Sequence, residues 1–154
     1  MRVMGLDFGS KTVGVAVSDP LFVTAQGIET IRRKSENKLR QTLSRIKELC
    51  DEYEVERIVL GYPVHMDGTS GIRCEKTRKF AELLEKRTSL EIIFRDERLT
   101  TVQADEILSD MGVPESDKKQ YIDMIAAVVI LQDYMNDPEV RENGTAFGKK
   151  NVFS

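Results

Sequence analysis

The chain has 154 residues, 40% hydrophobic and 32% charged, which suits one globular domain with a core of its own. No apolar run approaches the roughly 18 residues of a membrane span, and the opening MRVMGLDFG lacks the basic leader, apolar stretch and cleavage site of a secretion signal. Net charge is -3, so no overall basicity announces a nucleic-acid partner; one histidine, His65, and two cysteines, Cys50 and Cys74, build no zinc knuckle, and both cysteines read as reduced thiols of a cytoplasmic protein.

Residues 2–8 and 12–18 read as two strands joined by the turn Gly9-Ser10-Lys11, close enough for an antiparallel hairpin. The second alternates, with Val13, Val15 and Val17 on one side and Gly14, Ala16 and Ser18 on the other. Asp19-Pro20 marks a turn, and residues 22–31 supply a third, edge strand. Leu39, Leu43, Ile46, Leu49 and Tyr53 recur at helical spacing within 36–53. A buried strand follows at 55–61, then a loop from Tyr62 to Gly71 and a helix over 72–87. Residues 90–95 form another strand, 99–109 a helix, 110–119 a loop and 120–135 the last helix. This order predicts one α/β domain over 1–135, its mixed sheet having an antiparallel edge and parallel later strands. Residues 136–154 read as a polar, loosely ordered tail on which Phe147 and Phe153 offer docking groups.

Asp7 ends an apolar strand, where an unpaired carboxylate is costly to bury unless it meets a cation. A strand's C-terminal end is also where open α/β sheets bind ligands. Turn capping, with Lys11 as partner, is the plain alternative. Asp123 interrupts an apolar helix near its expected start, where a favourable helix-dipole contact explains it equally well. Asp96 and Glu97 follow a hydrophobic strand; adjacent strand residues face opposite ways, so one of them faces the crevice and the sequence leaves open which. Three acids on separate elements suggest a carboxylate cluster for one or two hard ions, magnesium or manganese, that activate water at a phosphodiester. The loop from Gly61 to Ser70 is polar and offers amides and hydroxyls to a phosphate, with Arg73 or Arg78 assisting. It lacks the lysine-serine/threonine ending of a P-loop. Local basic clusters occur at Arg32-Arg33-Lys34, at Arg73 with Lys76, Arg78 and Lys79, at Lys86-Arg87 and at Lys118-Lys119. Each is a phosphate-binding face or a solvated surface.

Four blocks in order, GLDFGSKTVGVAVSD, IVLGYPVHMDGTSG, DERLTTVQAD and YIDMIAAVVILQDYM, resemble the YqgF/RuvX family of Holliday-junction-resolvase-like proteins associated with pre-16S ribosomal RNA maturation. The resemblance spans residues 5–135. It implies a ribonuclease-H-like fold with a five-stranded mixed sheet and metal-dependent phosphodiester hydrolysis. Asp7, Glu97 and Asp123 become the catalytic, metal-binding acids, with Asp7 bridging. Gly61, Pro63, Asp67, Gly68 and Thr69 shape the substrate groove, and Arg98, Arg73 and Arg78 contact phosphates. Tyr62 and His65 depart from the leucine and asparagine common in the family. If the strand ending at Arg95 is the far parallel strand, Glu97 must reach across an intervening one. The implied partner is structured RNA, the small-subunit precursor; a four-way DNA junction or a non-catalytic binding module is the alternative. A monomer or weak homodimer is expected, and no membrane.

Overall fold

A computed structural model describes residues 2–63, 71–97 and 100–145. Strands β1 (Arg2–Phe8), β2 (Thr12–Ser18) and β3 (Ala25–Arg32) lead, followed by α1 (Arg40–Glu52), β4 (Val55–Tyr62), α2 (Gly71–Thr88) and β5 (Glu91–Asp96). Helices α3 (Thr100–Asp110), α4 (Glu115–Asn136) and α5 (Pro138–Thr145) complete the chain. The five strands form one mixed sheet in the order β3-β2-β1-β4-β5. β1 pairs antiparallel with β2 and parallel with β4, and β4 pairs parallel with β5.

The pleat sorts side chains into two cores. Met4, Leu6 and Phe8, with Val13, Val15 and Val17, pack under α1 and α2 against Leu43, Ile46, Phe80 and Leu84. Val3, Ala16 and Val59 lie on the opposite face, under Ala127, Ile130, Leu131 and Met135 of α4. The alternation expected for 12–18 is therefore what divides the layers.

Small residues prepare a bed for α4. Gly5 pairs with Ala16, and Ala16 with Gly27, making a row across three strands. A methyl group at Gly5 would stand 2.6 Å from Leu131 Cβ. The tightest approach is at Gly14, where a Cβ would lie 1.8 Å from the Asp123 carbonyl oxygen. α4 thus crosses the sheet at backbone contact there, which only glycine allows.

Several boundaries differ from the sequence reading. β3 begins at Ala25 rather than 22, because the Asp19 carboxylate accepts the N–H groups of Leu21, Val23 and Thr24 and holds 19–24 as a loop. Those three bonds hold the Asp19 carboxyl below its usual range. α1 begins at Arg40, not 36. α4 begins at Glu115, immediately after Pro114, so the expected loop over 115–119 is helix. Its early acids Glu115 and Asp117 suit the positive end of the helix dipole. Residues 138–145, read as part of the polar tail, form α5; Arg95 binds Asp133 and Asp137 at 2.9 Å and ties the α4–α5 junction to β5. Phe147 and Phe153 lie outside the described residues. Cys50 is buried, and burial pushes its thiol up to about 12. Among the described residues no helix is long and apolar enough to cross a membrane.

Candidate active site

Asp7 stands one residue before the end of β1, on the α4 face beside its β2 partner Gly14. Burial pushes its carboxyl well above the usual carboxylate range, reinforced by the charges of Glu97 and Asp123 and by a hydrogen bond with Glu97; Arg73 opposes the shift. Asp7, Glu97 and Asp123 are thus brought to one place from β1, the end of β5 and α4.

Glu97 answers the question of reach. β5 is the outermost parallel strand and β4 intervenes. The Glu97 side chain crosses β4 over Gly61: a Cβ on that glycine would lie 3.0 Å from Glu97 Oε2 and 3.2 Å from its Cβ. The backbone around Glu97 is fastened on both sides. Its N–H donates to the Tyr62 carbonyl at 3.1 Å, and its own carbonyl accepts the Thr100 N–H at 3.1 Å and hydroxyl at 2.8 Å. Glu97 is thereby turned inward, its side chain 15% exposed, whereas Asp96 is exposed. Between the two acids the sequence left open, the fold brings Glu97 to Asp7.

Asp123 lies on the third turn of α4, too far along to serve as a dipole partner for the first turn. Its Oδ2 accepts a hydrogen bond from the Thr12 hydroxyl at 2.6 Å. Thr12 also supplies the carbonyl that accepts the Gly9 N–H at 2.7 Å, so one residue closes the β1–β2 turn and orients an acid. Sequence reasoning missed Thr12. Its signal was a hydroxyl at the first position of β2, two residues before Gly14, the partner of Asp7.

The groove residues divide. Gly61 provides clearance for Glu97 and for Ile130 of α4. Pro63 is buried, and its carbonyl accepts the Cys74 thiol at 3.0 Å, which joins the exit of β4 to α2. Arg73 touches both the Phe8 carbonyl, at 3.3 Å, and Glu97 Oε1, at 4.0 Å. Arg78 is exposed and donates to the Tyr62 hydroxyl. His65, Asp67, Gly68, Thr69 and Arg98 lie outside the described residues.

Two of the basic clusters have internal duties. Arg33 donates to the Gly9 and Ser10 carbonyls, both at 2.7 Å, and lies over the Phe8 ring at 5.0 Å. Lys118 is buried and binds Asp105, Ser109 and Glu115, clamping α3 to α4. The cluster on α2 remains as a cationic surface bordering the acids.

Among the described residues no group of three His, Cys, Asp or Glu side chains is gathered closely enough to hold a metal ion as it stands. Asp7 meets Glu97, while Asp123 is held by Thr12. The chemistry of the set still suits a hard cation. Asp7, its pKa raised first by burial and then by the charges of Glu97 and Asp123, faces two further hard oxygen donors, the donor type that hard cations take. Gly61→Ala tests the assembly: the methyl group would stand 2.6 Å from Ile130 Cδ1 and 3.0 Å from Glu97 Oε2, crowding both, so at least a tenfold loss of cleavage is expected, measured alongside a melting curve showing the fold retained.

The comparisons bear on the whole architecture. The family model described as RuvX, Holliday junction resolvase, matches residues 1–137. A protein of Agathobacter rectalis, named as a candidate pre-16S rRNA nuclease, is 59% identical over 136 residues, covering 88% of this chain and 95% of its own. A Listeria monocytogenes relative of the same name is 51% identical, with 88% and 98% covered. Among solved structures, Thermus thermophilus RuvC in complex with Holliday junction substrate superposes with a TM-score of 0.59 at 11% identity, over 87% of this chain and 92% of that one. The fowlpox virus Holliday junction resolvase gives 0.52 at 15%, over 88% and 98%. At such identities the structures speak to the ribonuclease-H-like fold alone. The sequence matches go further, for they run through all three acid-bearing elements and nearly the full length of each relative, and by them the chain belongs to the RuvX family.

Proposed function

We propose that this protein is a divalent-metal-dependent endonuclease whose substrate is structured RNA, the precursor of 16S rRNA, and that it acts in the cytoplasm. The observation that carries this reading is the forced proximity of Asp7, Glu97 and Asp123 at the C-terminal end of β1. Mutually repelling carboxylates held together by glycine clearances at 14 and 61 are expensive unless they have a cation to share. Magnesium or manganese fits that donor set. When bound, such an ion lowers the pKa of a water and neutralises charge on the phosphodiester. The chain's own residues position it: Thr12 aims Asp123, the Tyr62 and Thr100 contacts aim Glu97, and Arg73 sets a positive charge beside the acids. Asp67, Gly68, Thr69 and Arg98 belong to the substrate-contacting set in this reading, with Arg78 on the flank. The names of the sequence relatives support RNA as the substrate.

A four-way DNA junction is the second reading, favoured by the family description. Paired cuts across a junction need two active sites, hence a dimer. The deciding experiment offers a pre-16S RNA fragment and a DNA junction to the wild type and to Glu97→Gln, with magnesium, with manganese and with chelator. Metal-dependent RNA cutting that the variant abolishes is expected. Cutting of the junction alone transfers the reading to a resolvase, and binding without cutting under either metal leaves a non-catalytic module.

A further inference from the structure

A cavity of about 160 Å³ opens between the β1–β2 turn, the connection before α1 and the first turns of α2. Its apolar lining is Leu39, Ile72 and the small exposed part of Phe8; Phe80, stacked on Phe8 with centroids 4.1 Å apart, lies fully buried beneath. Ile72 lines its mouth and is 70% exposed. Asn37 and Ser10 add polar groups. Arg73, Lys76 and Lys79 stand along one wall. Lys76 is paired with Glu36 across the mouth, and Lys79 holds Glu75 loosely at 3.6 Å, both largely exposed.

Three properties narrow the occupant. The volume falls below the roughly 300 Å³ at which drug-sized ligand pockets begin, and it suits one planar heterocycle of one or two fused rings. An apolar lining with polar groups at the margin suits a base that presents its faces to carbon and its edge to an amide. Cations at the rim suit the phosphates on either side of that base. Arg73 connects the cavity to the acids, since its guanidinium reaches the Phe8 carbonyl on the cavity side and Glu97 on the other. A base still stacked and paired within a duplex has neither its faces nor its edge free for such a cavity.

We infer that this cavity receives one unpaired nucleobase of the strand being cut, so the protein takes nucleic acid that is single-stranded or splayed beside the reacting phosphate. The inference rests on the nuclease reading and deepens it. Entry of the base past Ile72 delivers the adjoining phosphate to Arg73 and the acids. Substrate choice then depends on whether a nucleotide can leave its stack, and less on base sequence.

The test is a binding measurement in chelator, so it does not depend on catalysis. A short fluorescent single-stranded RNA and a fully abasic counterpart with the same phosphates are titrated into wild-type protein and Ile72→Asn. The exposure of Ile72 makes the variant's fold safe, and a melting curve verifies it. Wild type is expected to prefer the intact RNA by about tenfold, the scale of stacking one base, and Ile72→Asn to lose most of that preference while the abasic RNA binds both proteins alike. Equal affinity for the two RNAs in wild type overturns the inference, as does a preference unchanged in the variant or the absence of any binding. Failure of metal-dependent cleavage, by contrast, would count against the nuclease reading and leave this measurement standing.

Discussion

Asp7→Asn is expected to abolish cleavage and, in metal-free protein, to raise the melting temperature. The two effects have one origin. Burial, Glu97 and Asp123 raise the Asp7 carboxyl well above its ordinary range in the folded state, whereas the unfolded chain ionises it near ~3.9. Below that pH both states hold the proton and Asp7 costs nothing. As pH rises, the unfolded state loses its proton first, and stability falls until the folded carboxyl also ionises. Asparagine removes the penalty and keeps the shape. At neutral pH a gain of about 2–4 °C is expected for each kcal/mol relieved in a chain of this length, shrinking toward zero near pH 4. With Asp7 as the proposed metal-holding acid, the variant is expected to lose roughly 10³-fold or more in cleavage. Magnesium should stabilise the wild type and do little for the variant. Calorimetry from pH 4 to 8 with and without magnesium checks this, and a variant less stable than wild type at pH 7 without metal would sink it.

Gly14→Ala is expected to be the most damaging methyl group among the glycines of the described residues. The new carbon would stand 1.8 Å from the Asp123 carbonyl oxygen and 2.3 Å from its carbonyl carbon. Both obstacles are backbone, so no side chain can swing aside. Overpacking usually costs ~1–3 kcal/mol, and a collision between two main chains belongs at or beyond the top of that range. α4 must lift from β2 at Asp123, so cleavage should fall even where the chain remains folded. Gly71→Ala is the control, because its Cβ would meet nothing within 4 Å; denaturant melts of the two variants should differ by at least ~3 kcal/mol.

These glycines also mark where the sequence was legible and where it was not. The hairpin, the two-sided character of 12–18 and the order of helices and strands follow from period and punctuation, and the fold reproduces them. Asp7 and Asp123 were visible as charges in apolar text. What each glycine was for could not be read, because a missing side chain announces space without naming what fills it. Gly61 read as groove and also clears the path of Glu97; Gly14 read as one side of a strand and is the seat of α4. The choice of Glu97 over Asp96 depended on backbone contacts to Tyr62 and Thr100, which are far from periodic signals. The early start of α4 was hidden because Glu115, Asp117 and Lys118 look like loop text, although two of them favour the helix dipole and the third is buried between helices. Arg33 and Lys118 show why a basic run in sequence is a poor guide to a basic surface: each spends its charge on carbonyls, hydroxyls or carboxylates of its own chain.

The route of Glu97 over β4 has a consequence for when the protein becomes dangerous to its surroundings. The acids stand at positions 7, 97 and 123, and the middle one is aimed only after the outermost strand has joined the sheet. The last arrives only when α4 has closed on Gly14. A chain still being synthesised carries the first carboxylate almost from the start, yet domains fold as units and contacts of such sequence separation form late. In the proposed reading the nascent chain therefore lacks its assembled acids, and it acquires them in the same event that finishes its fold.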